Sequence, residues 1–270
     1  MAITTLDGAI AGFNAPRPFT KAITPTLVAG RPASLWSLNG NPGAGSFDTT
    51  LNGVTLSSTS AMVNGQLPFT DPASGSKYLA RFVGGATQVG KLVIADRIWH
   101  NGGFTITSTS AQNITSPTWP ARDAAGSTNG DGILCGMEIS AATGAGTPTI
   151  TMAYTNQSGT ASRSATNIIA TVASSAIGAF YPIGLQAGDT GVQSVQSITL
   201  SATWTSGTMN LVAYRILAEL DIMGVQYSNA LDLFKMGMPK LYNGTVPWLF
   251  FIPNTTTASV IHGQVIYTEG

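Results

Sequence analysis

Short runs of β-forming residues, cut apart by turn dipeptides, constrain this chain to antiparallel sheet. Across residues 197–204 apolar and hydroxyl side chains alternate, so Ile198, Leu200, Ala202 and Trp204 share one face. Ser206-Gly207 then supplies a turn, and residues 209–216 read as the return strand of a hairpin. Residues 147–154 alternate in the same way, with Ile150, Met152 and Tyr154 on one face. Further strands are predicted over 33–38, 54–57, 78–83, 91–98, 104–108, 133–140, 168–172, 248–252 and 260–268. Between them fall Asn39-Gly40, Asn41-Pro42, Asn101-Gly102, Asn129-Gly130, Asp131-Gly132 and Asn243-Gly244, each a turn signal. The alternating β–α pattern of a doubly wound fold is missing. The expected fold is mainly β, an antiparallel β-sandwich or jelly-roll-like core.

Two short helices are expected. Thr5 caps one over 6–11, closed by Gly12. Ser228 caps another running through Asn229 to Phe234, closed by Gly237 and Pro239. Pro16, Pro18, Pro25 and Pro32 read as an extended N-terminal arm, lying against a neighbouring subunit or ordered on its own domain. The chain therefore divides into an arm (1–45), a sandwich core (46–225) and a short helix with C-terminal strands that complete the core (226–270). The bulky run 242–253, bounded by Pro247 and Pro253, is either a central strand or the core of a subunit interface.

Charge narrows the function classes. Only 9% of the 270 residues are Asp, Glu, Lys or Arg, and twelve bases balance twelve acids. No basic excess is present to neutralise phosphates, so nucleic acid is not an expected partner. No apolar run approaches the roughly 18 residues of a membrane span. The opening residues carry Asp7 and no early base, unlike a Sec signal peptide, so synthesis in the cytoplasm is expected. A neutral surface of Thr, Ser, Gly and Ala suits a protein packed against neighbours; the alternative is a neutral secreted β-domain.

Candidate chemistry is sparse. Residues 85–91 fit the phosphate loop G-x-x-x-x-G-K, but Leu92 replaces the Ser or Thr that reaches magnesium, and Lys91 opens a strand instead of a helix. A Gly-rich hairpin turn is the expected structure there. Cys135 lies in an apolar run and reads as a buried structural thiol. His100 reads as a turn-capping imidazole. His262, the second histidine, sits in no nucleophile motif. One Cys and two distant His make zinc implausible. Asp123, Ser127, Asn129 and Asp131 share a Gly-rich loop whose oxygens suit either calcium or a tight turn. Glu138, Glu219 and Glu269 lie far apart in sequence for a glycosidase pair. Trp36, Trp99, Trp119, Trp204 and Trp248 serve a core or a carbohydrate groove. No catalytic residue, cofactor or metal site is expected.

One resemblance adds to this. Arg17-Pro18-Phe19-Thr20-Lys21-Ala22, residues 27–32, Ala80-Arg81-Phe82 and Arg97-Ile98-Trp99-His100-Asn101 are part of it. Trp119-Pro120-Ala121-Arg122-Asp123 and residues 188–195 extend it over most of the chain. In these stretches the chain is similar to virion structural proteins of tailed bacteriophages. The resemblance implies no catalytic residues. It implies a place in a virion assembled in the host bacterial cytoplasm. The long spine helix of a major shell protein has no counterpart here. A decoration (cement) protein fits better: β-rich, commonly trimeric, and clamping the phage major capsid protein. A tail, baseplate or receptor (glycan)-binding component is the alternative.

Overall fold

The computed structural model describes residues 3–270; Met1 and Ala2, the first residues of the expected arm, lie outside them. The protein is mainly β with antiparallel sheets and two short helices, as its alternation predicts. The chain forms two compact units. The first gathers Met1–Gly45, Ser57–Asp96 and Ile216–Gly270; the second gathers Ser46–Leu56 and Arg97–Arg215. The units divide after residues 45, 56, 96 and 215, whereas the expected segments divide after 45 and 225. The observed divisions follow the pairing of strands distant in sequence, which no local composition marks.

In the first unit, one sheet runs Ser228–Asp232, Lys77–Ala86, Ile261–Glu269, Arg17–Lys21, Gly40–Asn41, with Lys240–Leu241 also on Lys77–Ala86. A second layer places Pro247–Pro253 between residues 90–96 and Ala33–Ser34. Phe19, Phe82, Leu92, Ile94, Leu220, Phe251 and Val265 belong to one buried cluster. Each such side chain contributes about 1.5–3 kcal/mol on burial. The run bounded by Pro247 and Pro253 is thus a central strand, flanked on both sides.

The Pro-rich N-terminal segment supplies a strand of its own unit. Arg17–Lys21 alternates so that Phe19 and Lys21 point inward. Lys21 Nζ donates to the carbonyls of Leu38, Pro42 and Gly43 at 3.2, 3.0 and 2.9 Å. Burial lowers its ammonium from 10.5 to about 8. Phe19 lies opposite Gly263, which in turn faces Gly84. A Cβ on Gly263 would run into the Val83 carbonyl and come within 2.6 Å of Phe19. Three strands approach closely there because two of them carry no side chain.

In the second unit, Arg163–Thr166, Ile150–Asn156, Val192–Leu200 and Gln112–Asn113 form one sheet. A second layer pairs Phe180–Pro182 and residues 208–214 on the two sides of Leu134–Ala141. Met137, Ile139, Ile150, Met152, Ile198, Leu200, Trp204 and Leu211 fill the space between.

Several expectations need correction. Residues 197–204 and 209–216 do not form a hairpin. Val192–Leu200 pairs with Ile150–Asn156, whereas Thr208–Ile222 pairs with Leu134–Ala141. Alternation assigns faces, not partners, and the Ser206-Gly207 turn serves a crossing between sheets. The same holds at residues 85–91. Lys77–Ala86 and Gly90–His100 belong to different sheets, so their link is a crossover and no hairpin. Residues 104–108 and 168–172 are loops; Gln112 bonds both the amide and carbonyl of Thr105. Helix α1, Leu6–Ala11, has the expected Thr5 and Gly12 caps. Helix α2 is only Leu233–Met236. Asp232, not Ser228, accepts from the Phe234 and Lys235 amides, because Ser228–Asp232 is taken up as an edge strand. Gly237 closes α2 in the left-handed region, φ 67°, where glycine is favoured.

Candidate functional site

An apolar face of the first unit stands out. Thr5 Oγ1 accepts from the Gly8 amide at 3.0 Å and starts α1. Ala9 is the side chain that α1 buries, and its carbonyl accepts from Thr268 Oγ1 at 2.5 Å. With Ala9 held inward, Leu6 and Ile10, one turn apart, face outward at 47% and 52% exposure; Phe13 is 38% exposed. This inverts the usual surface helix, whose polar face meets water. Across a groove of about 440 Å³ stand Leu233 and Phe234 of α2, the latter 73% exposed. Arg81 and Asp232, opposite each other on paired strands, form part of its wall. Met223, Val225 and Tyr227 are also exposed on the turn before Ser228–Asp232.

The residues singled out from sequence are placed as follows. Asp123 is buried and saturated by its own loop. Oδ1 accepts from the Ala125 and Ser127 amides at 3.0 and 2.7 Å. Oδ2 accepts from Ser127 Oγ at 2.6 Å and from the Gly130 and Asp131 amides at 3.0 and 3.2 Å. Burial alone would raise this carboxyl. The bonds from Ser127, Asp131 and Ala125 outweigh it and hold the group below its ordinary range. Asp131 Oδ1 accepts from Thr190 Oγ1 at 2.5 Å. Of the two uses open to these oxygens, the structure shows the tight turn. Among the described residues no three His, Cys, Asp or Glu side chains cluster to hold a metal.

The glutamates do not come together; each has its own cation. Glu138 meets Arg97 Nη2 at 2.6 Å, with both side chains fully buried. Glu219 pairs with Lys91 at 2.6 Å, and Glu269 with Lys77 at 3.0 Å. Lys91, the lysine of the phosphate-loop pattern, is thereby engaged by a carboxylate. The His100 imidazole meets a guanidinium. His100 ends Gly90–His100, buried, with Nδ1 3.0 Å from Arg97 Nη2. Burial and the Arg97 charge hold its imidazole well below 6.5. His262 pairs with Thr20 and Gly85 within its sheet. Cys135 is buried, and burial pushes its thiol up, away from the reactive thiolate. All five tryptophans are buried core residues and line no surface groove.

Sequence reasoning found both helices but not their exposed face. The signal was the Leu6/Ile10 pair, which fits an inward stripe equally well until Ala9 is seen to be buried. No helix among the described residues is long and apolar enough to cross a membrane.

No protein-family model matches the chain, and no curated protein does. Among solved structures, it is similar to the infectious bursal disease virus VP2 subviral particle at 9% identity and a TM-score of 0.21. That match covers 96% of this chain and 80% of the other. A mutant VP2 of the same virus, from derived T=1 particles, gives 11% identity and a TM-score of 0.18, over 94% of this chain and 62% of that one. Likeness at these scores carries no argument about what this chain does.

Proposed function

We propose that this chain is a non-enzymatic structural component of a bacteriophage particle: a decoration (cement) protein that binds the major capsid protein as a homo-oligomer and clamps neighbouring shell subunits. The observation that carries the reading is the outward apolar face of α1 and α2 on a chain with zero net charge. Water is a poor partner for Leu6, Ile10 and Phe234, and a packed neighbour is a good one. A clamp works additively. Each copy that touches more than one shell subunit must break all its contacts at once to leave. Binding that favours the assembled shell stabilises it by mass action.

Copy number tests this. Quantitative mass spectrometry of purified virions is expected to give one copy per shell subunit or a fixed large fraction of that. Particles assembled with Ile10→Asp/Phe234→Asp are expected to carry at least about tenfold less of the protein, since apolar anchors carry most interface energy. The melting temperature of the isolated variant should stay near wild type. A handful of copies per particle refutes cement, and absence from virions refutes a structural role altogether.

A further inference from the structure

A concavity of about 260 Å³ lies in the second unit, where residues 47–49 meet Gly102, Gly103, Ser140 and residues 208–210. None of these belongs to the α1/α2 face. Backbone and amide bonds set its walls. Asn210 Nδ2 donates to the Asp48 carbonyl at 2.8 Å and also to the Asn101 carbonyl. The Gly102 amide donates to the Thr50 carbonyl at 2.9 Å, and a Cβ on Gly102 would run into the Asp48 carbonyl. The loop that carries Asp48 is thus held against its neighbours before any ligand arrives.

Asp48 is 7% exposed. Its Oδ1 accepts from the Thr50 amide and hydroxyl at 2.6 and 2.5 Å, which occupies both lone pairs. Its carbonyl is covered by Asn210 and Gly102. Oδ2 is the polar atom that remains. It has no hydrogen bond or ion pair among the described residues, and it is not one of their fully enclosed side-chain atoms. Asp48 therefore presents Oδ2 to the pocket it lines, and none of the described residues lining that pocket is Lys or Arg. A carboxylate this enclosed is seldom left without a counter-charge. On the same pocket Ser140 Oγ and Thr208 Oγ1 stand 2.9 Å apart on the exposed side. Whichever of them donates, both can still accept. Half-buried Phe47 supplies an apolar flank.

One anion, two hydroxyl acceptors and an apolar flank call for a cation with several N–H donors and a carbon stem. Calcium takes about six to eight oxygens, and a single carboxylate falls well short of that. A guanidinium grips a carboxylate by both oxygens side by side, and Oδ1 is already full. A neutral polyol gives Oδ2 a donor and no counter-charge. An ammonium is a point charge with three donors and asks for Oδ2 alone. The volume is the liquid share of about nine waters, room for a short alkyl stem and its head group. We propose that this pocket binds a primary alkylammonium, its donors on Asp48 Oδ2 and the Ser140 and Thr208 hydroxyls and its stem against Phe47. The same chemistry occurs in free amines and in the lysine side chain of a protein partner. The site does not depend on the shell-binding role.

NMR titration of the isotope-labelled full chain at pH 7, followed at the Thr49, Gly102 and Gly103 amides, tests it. The probes are n-butylamine, acetyl-lysine methylamide, n-butylguanidine, n-butanol and glycerol; the amines are cationic at this pH, as lysine is. Butylamine is expected to bind with a Kd of about 10 mM or below, at least about tenfold more tightly than butanol or glycerol. The guanidine should bind no more tightly than butylamine. The lysine derivative binding as well as butylamine identifies a site for a protein side chain; butylamine alone identifies a free-amine site. Asp48→Asn keeps the shape of the side chain and should weaken butylamine binding by about tenfold or more. The charged and neutral probes are compared on the native chain, so that comparison reads out even if the variant fails to fold. The proposal is overturned if butylamine leaves the three amides unmoved at about 50 mM, if a neutral probe binds within about tenfold of it, or if the guanidine binds more tightly. A folded Asp48→Asn that loses less than about tenfold in affinity overturns it too.

Discussion

Replacing Glu138 by alanine removes a buried carboxylate that lies against a buried guanidinium. Arg97 and Glu138 are both fully enclosed, with Nη2 and Oε2 2.6 Å apart. For charge centres about 4 Å apart at an effective dielectric of about 20, the attraction is on the order of 4 kcal/mol. Burial holds the Arg97 guanidinium below its usual value, and Glu138 works against that shift. The desolvation of Arg97 remains after the truncation while the compensating charge does not. The expected loss is about 3–5 kcal/mol. At roughly 3 °C per kcal/mol for a chain of this size, the melting temperature should fall by about 9–15 °C. Scanning calorimetry at pH 7 measures this directly. The double variant Arg97→Met/Glu138→Leu separates loss of an ion pair from loss of packing. It removes both charges and should recover most of the deficit. A fall of less than about 3 °C in Glu138→Ala, or a double variant no more stable than the single one, refutes the argument.

Two further outcomes follow from the same interior. His100 is held neutral in the fold, so the unfolded chain takes up its proton first as pH falls. Its stabilising contribution is complete above 6.5 and is lost on acidification below it; melting temperatures from pH 7.5 to 5 should decline, and His100→Gln should flatten the decline. An equal slope in both proteins contradicts this. Gly263→Ala forces a Cβ against the Val83 carbonyl and Phe19, at an overpacking cost of about 1–3 kcal/mol. A thermal melt within error of wild type removes the close three-strand approach as an explanation for that glycine.

What the sequence revealed was local, and what it hid was pairing. Thr5 and Gly12 bracket α1 because capping is decided within a few residues. Pro247 and Pro253 bound their strand for the same reason. The false hairpin at 197–216 had correct faces and wrong neighbours, since a strand's partner is chosen by the whole sheet. Arg97 and Glu138 are 41 positions apart and announce nothing to each other in the chain. Asp48 and Asn210 are farther apart still, and only folding sets them beside one cavity. Asp123 was visible as a loop organiser or an ion ligand, because the same oxygens serve both; counting its five donors required coordinates.

The strand Ile261–Glu269 holds together Lys77–Ala86 on one side and Arg17–Lys21 on the other. It leaves the ribosome after both of them, and after every residue of the second unit. The second unit therefore has all its strands in hand while the first still has a gap at the middle of its main sheet. Phe19, Phe82 and Lys77 must wait through that interval for the residues that cover or pair with them. The first unit begins earlier in the chain than the second yet can close only after it, and its period of greatest exposure to aggregation lasts until residues 261–269 are made.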